Sequence, residues 1–175
     1  MRHSTILALL LMLGCNNTET TPSQMNDQES YMDKASTIAF QKLDDVEGNI
    51  ELLEEPYKTI AVIYSAQGVI DNGGLIYFFE SDWPHNPPYT LFADAYRRIN
   101  RQEAGDAIEF AATSFGIPNP EKNKSFRNEF MEKQFGTDET DGTWTVEWND
   151  CICGDEDVWT HLTAWLRMNY PKMFN

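Results

Sequence analysis

The sequence predicts an all-α (mainly α) protein, a compact single-domain helical bundle of about six or seven helices. Three observations carry that expectation. Apolar residues recur at spacings of three and four along most of the chain, and the stretches between them hold residues that stop helices. In addition, 41% of the 175 residues are hydrophobic and 13% aromatic, a globular composition despite a formal charge of −15. A chain of this length fits one domain and buries a substantial core.

The elements follow in order. Met32, Ile38, Ala39 and Leu43 predict a first helix from about Glu29 to Asp45, stopped by Gly48-Asn49. Pro56 suits the first turn of a second, where Ile60, Ile63, Tyr64 and Ile70 recur. Asn72-Gly73-Gly74 ends it, because these residues accept the left-handed backbone of a helix cap. Leu75 to Phe79 is apolar all round, which requires burial, as a short helix in preference to a strand. The proline-rich run 83–88 is loop.

Leu91, Phe92, Ala95, Tyr96 and Ile99 mark the next helix. Ala104, Ala107, Ile108, Ala111, Ala112 and Phe115 mark another, with small residues that permit close approach. A Pro-Asn-Pro break at 118–120 precedes a helix carrying Phe126, Phe130 and Phe135. Val158, Leu162, Trp165 and Leu166 stripe the last, begun by Asp155-Glu156-Asp157, where carboxylates meet the positive end of the helix dipole. One stretch departs from the pattern. Trp144, Val146 and Trp148 alternate, and Asn149-Asp150 could turn the chain back into Cys151-Ile152-Cys153. A short β-hairpin near 143–153 fits that spacing, and so does a structured loop.

The beginning of the chain reads as an address. Arg2 and His3 precede an apolar run from Ile6 to Leu13, then Gly14 and Cys15. Eight apolar residues rise about 12 Å as a helix, too little to span hydrocarbon about 30 Å thick. Met12-Leu13-Gly14-Cys15 resembles a bacterial lipoprotein signal, which implies lipidation of Cys15. The expected division is a signal peptide over 1–14, a polar flexible tether over 15–28 and an acidic helical domain over 29–175. An acylated Cys15 would hold the domain to a lipid bilayer in the bacterial cell envelope. Ordinary cleavage leaving a free thiol at Cys15 is the plainer alternative.

Catalytic constellations are absent from the sequence. There is no Gly-x-Ser-x-Gly elbow, phosphate loop, His-Glu-x-x-His or dinucleotide fingerprint. Asp138-Glu139-Thr140-Asp141-Gly142 fails as a calcium loop, since Thr137 and Trp148 would fall where acids are needed. Cys151 and Cys153 supply too few ligands for zinc, and His85 and His161 lie in other segments. The expectation is a protein without enzymatic activity, metal or cofactor.

Asn72-Gly73-Gly74, with an apolar helix before it and Phe78-Phe79 after, resembles a bacterial family of domains of unknown function whose best-described member is an acidic DNA mimic. The likeness covers about Pro56 to Gly116 and weakens through the final helix. Leu75 stands where the family usually has an aromatic, and Tyr77 where a glutamine often sits. The resemblance implies an all-helical fold and a structural role for Asn72, Gly73, Gly74, Phe78 and Phe79. It also implies that two copies can pair, while the sequence itself leaves the oligomeric state open.

Charge is concentrated toward the two ends. Residues 16–60 hold ten acids and three bases and residues 136–175 eight and two, against ten and seven between them. The expected acidic interaction surface comprises Asp44, Asp45, Glu47, Glu51, Glu54 and Glu55, with Asp138, Glu139, Asp141, Asp155, Glu156 and Asp157. Acidity of this degree argues against direct nucleic-acid binding and for a cationic protein partner. Combined with the leader, it predicts a membrane-tethered lipoprotein that binds a cationic protein in an immunity- or inhibitor-like way. The alternative is a DNA mimic that fills the nucleic-acid site of a basic regulator, because carboxylates three or four apart on a helix lie about 5–6 Å from one another. A solvated acidic face is the plainest reading of the same residues.

Overall fold

The computed structural model describes residues 22–135 and 148–173, with side chains over 31–134 and 148–173. The fold is all-α. Among the described residues the elements are α1 (Pro22–Asp45), α2 (Tyr57–Glu80), α3 (Tyr89–Arg98), α4 (Gln102–Thr113), α5 (Lys124–Phe135) and α6 (Asp157–Asn169), with 3-10 turns at Ile50–Leu52 and Pro120–Lys122. No strand occurs among them. None of these helices is long and apolar enough to cross a membrane.

α1 begins at Pro22, so the last residues of the segment expected to be a tether are helical. It ends where expected, with Gly48 at φ +77. α1 and α2 run antiparallel. The Lys42 ammonium lies 4.9 Å from the Tyr57 ring centroid near one end, and the Tyr64 hydroxyl donates to the Met32 carbonyl at 3.3 Å toward the other. α2 supplies the centre of the core, with Ile60, Ile63, Ala66, Ile70, Leu75, Phe78 and Phe79 all buried.

α2 is broken in the middle. Gly73 (φ −168, ψ 21) and Gly74 (φ 69, ψ −168) leave helical geometry, and the helix resumes at Leu75. The predicted stop is thus a kink between two helical halves rather than a loop. The second half presses Phe78 edge-on against Phe79 (5.0 Å between centroids) and Phe92 (5.0 Å), and Phe79 against Phe115 (5.3 Å). Offset and edge contacts of this kind add to what area burial alone contributes.

α3 and α4 form a tight hairpin. Gly105 is required there: a Cβ would stand 2.6 Å from the Ala93 carbonyl oxygen. α5 docks through Arg127 rather than through an aromatic stripe. Phe126 is exposed and Phe130 half-buried, whereas Arg127 and Met131 are buried. α6 buries Val158, Leu162 and Leu166, and packs Trp159 4.8 Å from the Tyr64 ring.

The hairpin expected near 143–153 is corrected where the structure describes it. Residues 143–147 lie outside the described residues, and the return strand is a helical turn. Cys151 N–H donates to the Trp148 carbonyl at 3.2 Å, and the N–H groups of Ile152 and Cys153 donate to that of Asn149 at 3.0 and 2.7 Å. The turn places Ile152 in the core and its carbonyl beside Gln67 Nε2, at 2.9 Å. An extended strand would lose these local bonds.

Candidate functional site: an acidic corner

Counter-charges engage some of the acids and leave others without a salt bridge. In the body of the domain seven carboxylates are matched by bases, while others, Asp33, Glu80, Glu103 and Glu132 among them, are exposed and enter no salt bridge among the described residues. Arg97 gathers Asp94, Asp106 and Glu109, Arg98 pairs with Glu55 at 3.0 Å, and Arg101 with Asp155. Lys124 and Arg127 share Asp82, and Lys133 pairs with Glu129. The Asp106 and Glu109 carboxylates, hydrogen-bonded to Arg97, hold its guanidinium more firmly protonated than usual. A hydrogen bond from Lys133 lowers the pKa of Glu129.

The corner from the end of α1 through the Ile50–Leu52 turn gathers such exposed acids within one short stretch. Asp44, Asp45, Glu47, Glu51 and Glu54 are all exposed, and none takes part in a salt bridge among the described residues. Local chain geometry holds them there. Glu47 and Gly48 both take positive φ, so the chain reverses within a few residues of Asp45. Asn49 then caps the 3-10 turn, its Oδ1 accepting the Glu51 N–H at 3.2 Å. His85 Nε2–H donates to the Glu47 carbonyl at 2.9 Å, fixing the turn to the 81–88 loop. Ile50 and Leu53 face the core and leave the acids outside.

The sequence-predicted acids do not form one surface. Glu55 turns to Arg98, and its Oε2 accepts the Thr59 hydroxyl at 2.7 Å. Asp155 is claimed by Arg101 and is only 11% exposed at its side chain. Glu156 and Asp157 are exposed but begin α6, beside the level where Gly154 N–H meets Asp71. Asp71 is fourteen residues along α2 from Tyr57, about 20 Å at a helical rise of 1.5 Å per residue. The corner beside Tyr57 and the acids of α6 are therefore separate. Asp138, Glu139 and Asp141 lie outside the described residues, as does Cys15.

The structure adds residues that a search for acids passes over. A groove of about 230 Å³ opens at the corner, lined by Lys42, Asp45, Val46, Leu52, Glu54 and Tyr57 among others. Leu52 is 64% exposed, an apolar side chain set between Glu51 and Glu54. The available signal was a leucine in a turn flanked by acids, which reads as core until the turn is seen to point it outward.

The Asn72-Gly73-Gly74 run has an architectural place. Gly74 takes the left-handed backbone, and a Cβ there would lie 2.8 Å from Asn149 Oδ1. Phe78 and Phe79 are completely buried. Around the kink, the Tyr96 hydroxyl donates to Gln67 Oε1 at 2.8 Å, and Gln67 Nε2 donates to Asp71 at 2.7 Å as well as to the Ile152 carbonyl. This network satisfies buried polar groups and presents no nucleophile. Among the described residues, no three His, Cys, Asp or Glu side chains converge as a metal site.

Comparison with known proteins supplies one match. The model of the DMP19-like protein family matches residues 51–169, more than half of the chain. That span takes in Glu51, Leu52 and Glu54 of the corner, the α2 kink and α6, while Asp44, Asp45 and Glu47 precede it. Neither the curated proteins nor the solved structures yielded a match. On this span of agreement, the chain belongs to the DMP19-like protein family.

Proposed function

We propose that this protein is a non-catalytic acidic binding protein that occupies the nucleic-acid-binding face of a cationic protein, acting as a DNA mimic. The observation that carries the reading is the set of five exposed carboxylates gathered within residues 44–54, none of them in a salt bridge among the described residues. A partner that evolved to grip phosphates offers lysine and arginine side chains that can pair with these carboxylates. Family membership supports the same reading. Attraction between such faces raises the association rate and falls as salt screens it.

The test is capture from nuclease-treated extract at low ionic strength, followed by elution with duplex DNA. The expected result is release of a basic nucleic-acid-binding protein by the duplex, with no capture by the variant D44N/D45N/E47Q/E51Q/E54Q. Retention of the partner in excess duplex, or equal capture by the neutralised variant, would overturn it.

The apolar leader from Ile6 to Leu13 favours a second reading, in which an acylated Cys15 displays the domain in the cell envelope and the partner is a cationic protein met there. Labelling with a palmitate analogue decides between compartments. Label that disappears in Cys15→Ser supports the envelope, and unlabelled full-length protein in the cytosol supports the nucleic-acid mimic.

A further inference from the structure

We infer that the groove at the acidic corner is a receptor for a single arginine side chain of the cationic partner, with Lys42 holding the place until it arrives. This inference rests on the binding role proposed above and names the contact that anchors it. At about 230 Å³ the groove is smaller than the 300–1,000 Å³ typical of small-molecule sites, so it suits one side chain rather than a free ligand. Its walls match the two ends of an arginine. Val46 and Leu52 offer apolar surface for the methylene stem, and Asp45 and Glu54 offer carboxylates for the head.

The chain itself shows what kind of group the groove accepts. The Lys42 ammonium lies 4.9 Å from the Tyr57 ring centroid, within the range at which a cation is attracted to an aromatic face. Guanidinium is planar, more weakly hydrated than ammonium, and able to stack on a ring while bonding a carboxylate in a fork. An incoming arginine therefore gains more from Tyr57, Asp45 and Glu54 together than Lys42 does, and Lys42 is free to swing outward from the end of α1. Leu52, solvent-exposed in the free protein, becomes covered.

The experiment compares nona-arginine with nona-lysine as probes, by calorimetric titration and by amide chemical shifts of the full chain. The wild type is expected to bind nona-arginine roughly ten-fold more tightly than nona-lysine, with the largest shifts at Leu52 and Tyr57. Lys42→Met should widen that ratio, and Tyr57→Leu should narrow it roughly three-fold. The surface variant Glu54→Gln should narrow it too and does not depend on the packing of Tyr57. Binding of both peptides with equal strength, or a ratio unmoved by these substitutions, overturns the arginine groove and leaves the acidic docking surface standing. Binding of neither peptide overturns both.

Discussion

Asn149 Oδ1 accepts the backbone N–H of Leu75 at 2.8 Å, so the second half of α2 is capped by a residue 74 positions away. A helix that restarts after a kink exposes unsatisfied N–H groups at its new beginning, and here the missing acceptor arrives from the turn before α6. Gly74 makes room for it, since any side chain at that position meets the Asn149 carboxamide.

Removing this cap should cost about 1 kcal/mol, the usual loss for an N-cap amide replaced by alanine. Asn149→Ala is expected to lower the unfolding free energy by that amount, read as a lower urea midpoint with an unchanged slope of the transition. Gly74→Ala should cost about 2–3 kcal/mol, through its positive φ and its collision with Asn149. Because one collision is shared, the double variant should fall short of the sum.

Tyr96 predicts an alkaline limit. Burial raises its phenol pKa well above the ordinary 10.0. Below pH 10 the phenol is neutral in both folded and unfolded chains, and its favourable contribution is fully present. Above pH 10 the unfolded chain ionises while the folded one does not, so stability falls as pH rises toward the folded pKa. Tyr89, whose pKa burial also raises, acts in the same direction. Tyr96→Phe should lower stability near pH 8 by about 1–2 kcal/mol, leaving Gln67 Oε1 without its donor, and should flatten the decline between pH 10 and 11.5. Urea midpoints measured across that range check both effects.

Arg127 predicts a large and charge-specific loss. Its guanidinium is 1% exposed as a residue and donates to the carbonyls of Phe79 at 3.0 Å, Pro120 at 2.9 Å and Glu121 at 2.8 Å. Arg127→Met fills the volume but strands these acceptors, and should cost about 3 kcal/mol or more. Arg127→Lys is expected to recover little, since one ammonium cannot reproduce the fork that reaches three carbonyls. Thermal unfolding of both variants checks the prediction.

Much of the helical architecture was legible because it is written locally. Apolar residues at three and four placed α2, α3, α4 and α6, and Gly48 and Gly74 marked a turn and a break through the backbone they allow. The turn at 148–153 was not legible, because Asn149, Ile152 and Gly154 find partners on α2 that sequence spacing does not reveal. The same limit governed the acids. Glu55 and Asp155 look identical to Glu54 and Glu156 in the sequence, and only the fold brings Arg98 and Arg101 beside them. Phe126 illustrates the converse, a large apolar residue counted toward the core whose neighbour Arg127 takes the buried place.

The carboxylates of Asp44, Asp45, Glu47, Glu51 and Glu54 bear little of the burden of folding, since Ile50, Leu53 and the His85 bond to the Glu47 carbonyl tie that turn inward. Substitutions there alter the strength of the surface field while the bundle beneath stays intact. Descendants of this chain could thus retune their grip on a changing target one charge at a time, without passing through misfolded ancestors.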